Sequence, residues 1–269
     1  MTEIVFVSTY SLDEPVLCNR LLPFIDLALA QGLQVTLVNP EGGAYPGAEA
    51  PGFRHVALSL PQANHGGLVS RALRELLLAW RVLGAAPRGC EYMVLTVPSM
   101  FLLFLERRAR AVRRLVDLRD LTWEYLSEAG VVRRVCKRLF RGLARRALPR
   151  FDLITVTSEA QCRVLDQWPE LRDQRIMMAR NGLSRTQYDA LAAAMNAPVA
   201  DTERPRLLYV GNVGLAQNLT TLVEAARAMP EVDVEVVGAG SDFDRVRTLA
   251  QGVPNVFLRG RLNWASIPA

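Results

Sequence analysis

Short runs of aliphatic and β-branched residues alternate with longer segments in which apolar positions recur every three or four residues, across most of a 269-residue chain. Apolar runs of strand length alternating with segments of helical period predict βαβ units on parallel sheets. The predicted strands are Ile4 to Ser8, Gln34 to Val38, Arg54 to Leu58, Tyr92 to Val97, Arg114 to Leu118 and Leu153 to Thr157, with a shorter "RIMMA" just before Asn181 and Gly182. There the strands stop. An alanine-rich helical stretch leads into "APVADTERP", whose prolines and charges mark an exposed link. The alternation then resumes with strand "RLLYV", a helix from Leu215 to Met229, strand "VDVEVVG", a helix from Asp242 to Gln251 and strand "NVFLRG".

The fold class this predicts is α/β with two Rossmann-like parallel-sheet domains. The N-terminal domain covers residues 1–188, the link 189–205 and the C-terminal domain 206–269. Three strands are few for a parallel sheet, whose faces need cover and whose edges need protection, so the second domain is expected to be incomplete. The chain shows no internal repeat and no low-complexity tract.

At 50% hydrophobic composition a chain of this length can bury a sizeable core, which excludes a disordered or fibrous protein. The net charge of +5 comes mainly from arginine clusters and favours acidic surfaces or phosphates as partners. Cys18, Cys90, Cys136 and Cys162 are scattered, with no paired spacing, so neither a zinc site nor a disulfide framework is indicated and a reducing, cytoplasmic setting is expected. The acidic start "MTEIVFVSTY" lacks the features of a signal peptide. The longest apolar run, Met93 to Leu105, is interrupted by Pro98 and Ser99 and falls short of a membrane span, reading instead as a strand that turns into a buried helix.

The stretch "YVGNVGLAQNLTTLVEAA" joins a hydrophobic strand to a patterned helix through Gly211, Asn212, Val213 and Gly214. Such a turn lets backbone N–H groups approach a phosphate, and a following helix N-terminus adds positive partial charge. It can equally reflect glycine's conformational freedom alone. A second turn, "VVGAGSDFDRV", carries Gly238 and Gly240 but has Phe243 where a dinucleotide fingerprint has its third glycine, and the first strand is followed by no glycine, so a nicotinamide-dependent dehydrogenase is disfavoured. Asp242 and Asp244 resemble the paired aspartates that hold a metal in nucleotide-sugar enzymes of another fold class. At a helix start they read as capping and dipole residues. "DLRDLTWE" sets Asp117, Arg119, Asp120, Trp123 and Glu124 at the carboxyl end of a strand, where α/β sheets bind ligands. Asp120 is the candidate catalytic carboxylate, for orienting or deprotonating an acceptor hydroxyl; capping of the next helix is the alternative. His55 and His65 have no partner at ligand or triad spacing, and Trp123, Trp168 and Trp264 read as packing residues.

Val131 to Arg150, "VVRRVCKRLFRGLARRALPR", places Val132, Val135, Cys136, Leu139, Phe140, Leu143 and Ala147 at helical spacing, with Arg133, Arg134, Lys137, Arg138, Arg141 and Arg145 opposite and no acidic residue. Such a helix suits an anionic membrane surface, its apolar stripe packing on the sheet while the basic face meets lipid. A simply solvated helix face remains the alternative. No aromatic residues interleave with the arginines, so nucleic acid is not expected as a partner.

Taken in order, "DLRDLTWEYL", "FDLITVTSEAQCRVL", "ARNGLSRTQYD", "LLYVGNVGLAQNLTTLVEAA", "VEVVGAGSDFDRVRTLA" and "NVFLRGRL" resemble the GT-B glycosyltransferases of the GT4 family, especially the branch that builds bacterial surface polysaccharides. The resemblance covers nearly the whole chain. It implies an acceptor-side N-terminal domain and a donor-side C-terminal domain, and transfer of a sugar, with retention, from a nucleotide-sugar to a lipid-linked or growing surface glycan. It implies no cofactor and no essential metal. Gly211, Asn212, Gly214 and Gln217, with Gly238 and Gly240, are the implied donor-binding residues. Ser8, Asn19, Arg20 and Asn181 are candidates for the acceptor-side cleft, with helix capping as the alternative for Asn19 and Arg20.

Two departures matter. Many relatives place an arginine and a lysine in the glycine loop, where this chain has Asn212 and Gln217, and many carry a glycine-rich loop after the first strand, absent here. The family's glutamate pair would lie beyond "GRLNWASIPA", so the chain is expected to be truncated within the donor domain. That leaves a second reading, a non-catalytic relative that binds acceptor, membrane or a partner chain covering the incomplete domain. The expected location is the cytoplasmic face of a membrane, as a peripheral protein.

Overall fold

The computed structural model describes residues 2–59, 68–97, 99–126, 130–183, 185–195, 204–262 and 266. The chain divides into two compact units, Met1–Ser184 and Arg185–Ala269. His65, Trp264, Pro98 and most of "APVADTERP" lie outside the described residues.

In the first unit β1 (Glu3–Val7), β2 (Gln34–Pro40), β3 (Phe53–Leu58), β4 (Cys90–Val97), β5 (Ala111–Leu118), β6 (Leu153–Val156) and β7 (Ile176–Met178) form one parallel sheet in the order β3-β2-β1-β4-β5-β6-β7. The order reverses at β1, which pairs with β2 on one side (Val5 opposite Thr36) and β4 on the other (Val5 opposite Met93). Between the strands run α1 (Pro15–Ala30), α2 (Leu68–Ala85), α3 (Met100–Phe104), α4 (Thr122–Tyr125), α5 (Val131–Ala147) and α6 (Glu159–Asp166).

Strand alternation sends neighbouring residues to opposite faces. Val5, Val7, Met93, Leu95, Val116, Leu118, Ile154 and Val156 share one core with α2, α3, α5 and α6. Phe6 and Val94 face the other way, into a core built with α1 through Leu17, Leu21 and Ile25. Right-handed crossovers account for this division: each connection stepping from β4 towards β7 falls on one face, and the β1-to-β2 connection, stepping the opposite way, falls on the other. On the α1 side the sheet keeps an open groove of about 330 Å³ whose walls include Phe24, Leu27, Leu115 and Leu153.

The second unit opens with α7 (Arg185–Met195) and then holds β8 (Arg206–Val210), α8 (Thr220–Ala228), β9 (Asp233–Val237), α9 (Phe243–Ala250) and β10 (Val256–Gly260), with a parallel sheet in the order β10-β9-β8. Its core gathers Val213, Val223, Ala226, Val234, Val236 and Val246. Asn255 is buried where it can satisfy a helix end, its side-chain amide donating to the carbonyls of Ala226, Met229 and Val232 at 2.9, 3.0 and 2.8 Å. No helix among the described residues is long and apolar enough to cross a membrane.

Candidate functional site

Strand order reverses at β1, and parallel α/β sheets bind ligands outside the carboxyl ends of their strands at such a point; Ser8, Arg20, Ser99 and Asp117 are buried polar residues at this edge. Ser8 is fully buried just past β1, and its hydroxyl accepts the N–H of Tyr10 at 3.1 Å. Burial, with the Glu75 carboxylate next in weight, raises the Tyr10 phenol above its ordinary value. Glu75, on α2, lies 3.5 Å from the Ser99 hydroxyl past β4. No sequence motif marks Glu75; its helix alone brings it to this edge.

The strongest feature of the edge is an ion pair. Arg20, on α1 and 1% exposed, donates from Nε to Asp117 Oδ2 at 2.9 Å and from Nη2 to Oδ1, while Nη1 donates to the Ala179 carbonyl. Asp117 also accepts the Thr155 hydroxyl at 2.7 Å. One guanidinium therefore ties α1 to β5 and to the residue after β7, while Thr155 adds β6. Arg20 is neither a surface cap nor an open cleft residue: the fold uses it as an internal staple. Asn19 is half-buried beside it, and Asn181 is exposed just after β7.

Past the end of β5, the Arg119 carbonyl is held by Thr157 Oγ1 at 3.0 Å and Gln161 Nε2 at 2.9 Å. Both donors belong to the start of α6, where Ser158 and Gln161 form a capping box. Asp120 is exposed at this edge, whereas Trp123 is fully buried with its ring centroid 5.8 Å from that of Trp168. The structure thus gathers Ser8, Arg20 and Asp120 at one end of one sheet.

In the second unit the two glycine turns are packed backbone against backbone. Gly211 N–H donates to Val237 O and Val213 N–H to Ala239 O, both at 3.0 Å. A Cβ on Gly238 would lie 1.8 Å from Gly211 O, and one on Gly240 2.2 Å from Val213 O. With Gly238 also at φ 154°, Gly238→Ala is expected to destabilise this unit by about 3 kcal/mol, read as a lower urea midpoint. Asn212 Nδ2 donates to Gln217 Oε1 at 3.3 Å and Tyr209 Oη to Asn212 O at 2.7 Å, bracing a loop without charge. The N–H groups of Asn212, Gly214, Leu215 and Ala216 have no acceptor among the described residues, so the loop retains donors for an anion.

Helix α8 starts at Thr220, not at Leu215. Asn218, at φ 48°, sits in the left-handed region and breaks the chain between the turn closed by Gln217 N–H on Gly214 O and the first turn of α8. The helix dipole is therefore more than one turn away from Gly214. Asp242 occupies the N-cap of α9 and is buried, but its side chain makes no capping bond; its ion partner is Arg245 at 3.9 Å. Asp244 pairs with Arg247 at 2.8 Å on the surface. Among the described residues no group of three or more His, Cys, Asp or Glu side chains is placed to hold a metal.

The basic helix forms as expected, and Phe140 and Ala147 of its apolar stripe pack inward, but Val135 and Leu139 face out. Ala144 and Ala147 are buried and Phe140 packs on the same core. Arg141 and Arg145, their side chains 43 and 38% exposed, lie 5.8 and 5.1 Å from the Trp168 ring centroid and pair with Glu124 at 3.2 Å and Glu170 at 3.7 Å. Val131, Val135 and Leu139 are left 74, 56 and 56% exposed, on an outward surface that also carries Arg134, Arg138 and Arg146. On the same sheet face α2 exposes Leu73, Leu77 and Trp80, the last stacked under Arg108 at 3.5 Å.

No protein-family model and no curated protein matches the chain. Solved structures do. Sucrose-phosphate synthase from Thermosynechococcus elongatus superposes over 100% of this chain and 72% of its own, at TM-score 0.70 and 16% identity. HepE from Anabaena, solved with UDP and glucose, superposes over 100% and 71%, at TM-score 0.57 and 16% identity. WaaG, a glycosyltransferase involved in lipopolysaccharide biosynthesis, superposes over 98% and 70%, at TM-score 0.56 and 13% identity. The chain therefore has the α/β architecture of the GT-B glycosyltransferases, two Rossmann-like parallel-sheet units in succession.

Proposed function

We propose that the protein is a glycosyltransferase of GT4 type, moving a sugar with retention from a nucleotide-sugar donor to a lipid-linked or growing surface glycan at the cytoplasmic face of a membrane. The observation that carries this reading is the superposition of essentially the whole chain, both units in order, on glycosyltransferases. On this reading the free N–H groups around Gly214 receive the donor diphosphate, the β1–β5 edge receives the acceptor with Asp120 near its hydroxyl, and no metal or other cofactor is required. The outward face of α5, apolar and basic together, seats the first unit on anionic lipid, as suits an acceptor held in a membrane.

Calorimetric titration with UDP, GDP and ADP and their glucose conjugates tests the donor half. Binding of one nucleotide class is expected, weakened at least tenfold by Gly214→Val, whose side chain would meet Asn212 Nδ2 and Gln217 Oε1, at 2.7 and 2.8 Å from the Cβ alone. Absence of binding by every nucleotide would overturn the donor assignment. A second reading, binding without transfer, is favoured by the uncharged loop of Asn212 and Gln217. It predicts nucleotide or lipid binding with no sugar released or transferred when a labelled nucleotide-sugar is incubated with the protein and membranes.

A further inference from the structure

We propose that Arg119 anchors an anion subsite at the carboxyl end of the large sheet, taking a phosphate or carboxylate group of a bound substrate. Two of its three guanidinium nitrogens, Nε and Nη1, are shut off from water and have no hydrogen-bond acceptor. The residue joins no ion pair among the described residues, and it stays partly exposed at the sheet edge. Burial draws its pKa down, against the pull of Asp117 and Asp120. An arginine does not escape such a position by losing its proton, and unpaired buried donors cost several times what a typical bond contributes.

The charges around it point the same way. Asp117 is committed through both oxygens to Arg20 and through one of them to Thr155. Asp120, the remaining carboxylate that acts on Arg119, is exposed. Arg20 thus takes the one buried carboxylate near Arg119, and Arg180, exposed after β7, makes no ion pair among the described residues. The site is built, because the Arg119 backbone is fixed by Thr157 and Gln161. The other arginines with a buried Nε that lacks an acceptor are engaged elsewhere, Arg108 stacked on Trp80 and Arg141 and Arg145 beside Trp168 and paired with Glu124 and Glu170, while the unpaired indole nitrogens of Trp123 and Trp168 carry no charge. Among these residues only Arg119 combines a buried cation, no ion pair, no ring beneath it and partial exposure at the sheet edge. As a subsite for the acceptor or donor it rests on the transferase reading, whereas an anion site as such does not.

The test is titration of the whole chain, labelled with 15N-arginine, with inorganic phosphate, then dodecyl phosphate and UDP, following side-chain Nε–Hε signals. One signal is expected to shift with phosphate and to be absent in Arg119→Gln, with binding weakened about tenfold or more, as for a lost charge-assisted bond. Arg172→Gln, at an exposed position, should leave the titration unchanged. Removing an unsatisfied charge should also leave the melting temperature of ligand-free Arg119→Met equal to or above the parent's. Stronger response to dodecyl phosphate assigns the group to a lipid-linked acceptor, and stronger response to UDP to the donor. Unchanged phosphate binding in Arg119→Gln, no response to any of the three anions, or a large loss of stability in Arg119→Met would overturn the proposal. Because UDP titration of Gly214→Val reports on the second unit separately, failure here is distinguishable from failure of the transferase reading.

Discussion

Asp117→Ala is expected to destabilise the N-terminal unit by about 3–5 kcal/mol, because it strands the Arg20 cation in a site where both side chains are at most 3% exposed. The loss would appear as a drop in the urea midpoint with an unchanged slope for that unit. The instructive comparison is the double variant Arg20→Met with Asp117→Leu, which removes both charges and keeps most of the volume. It should recover most of the stability, since the cost lies in a lone buried charge and not in the absence of a pair. Recovery would show that the staple contributes geometry more than energy. A double variant as unstable as the single would instead mean that the bonds to Ala179 and Thr155 carry the stability.

Neutralising Arg134, Arg138 and Arg146 together to Gln is expected to weaken binding to vesicles rich in anionic lipid by about 3 kcal/mol, roughly a hundredfold or more, at about 1 kcal/mol for each basic residue near such a surface. Replacing Val131, Val135 and Leu139 with Ser should weaken binding as well, and that loss should persist in high salt, where the electrostatic part fades. Sedimentation with vesicles of stated phosphatidylserine content at two ionic strengths separates the terms. Equal sedimentation of parent and arginine variant at low salt would remove α5 as the docking face.

Much of the fold was legible because strand burial is written in runs that need no tertiary context. "RLLYV" coincides with β8, and the other strands that the sequence marks lie within one to three residues of those in the structure. The sequence starts α8 five residues early because "LAQNL" has helical composition, while a left-handed Asn218 is visible only in the backbone. Periodicity misplaces Val135 and Leu139 of α5 because it counts every aliphatic residue of a stripe as buried. Trp168 draws Arg141 and Arg145 to the flank of the helix while their side chains stay 43 and 38% exposed, and Val135 and Leu139 are left outside. The glycines at 211, 214, 238 and 240 were singled out for a ligand; at 238 and 240 the structure supplies a second cause, the close approach of two backbone turns. Arg20 and Asp117 lie 97 residues apart, so nothing local in either stretch announces their pairing. Nothing local marks Glu75 either, 24 residues from the Ser99 it approaches.

The Arg20 staple also orders events in time. Its guanidinium is satisfied only when the carbonyl of Ala179 is in place, 159 residues further along the chain. During synthesis, α1 and the first strands leave the ribosome with a cation that must be buried and an acceptor that does not yet exist. The early segments therefore cannot reach their final packing alone, and the unit locks only once β7 has emerged. A nascent chain arrested before residue 179 should stay sensitive to protease at α1, and one arrested well beyond it should become resistant in a single step.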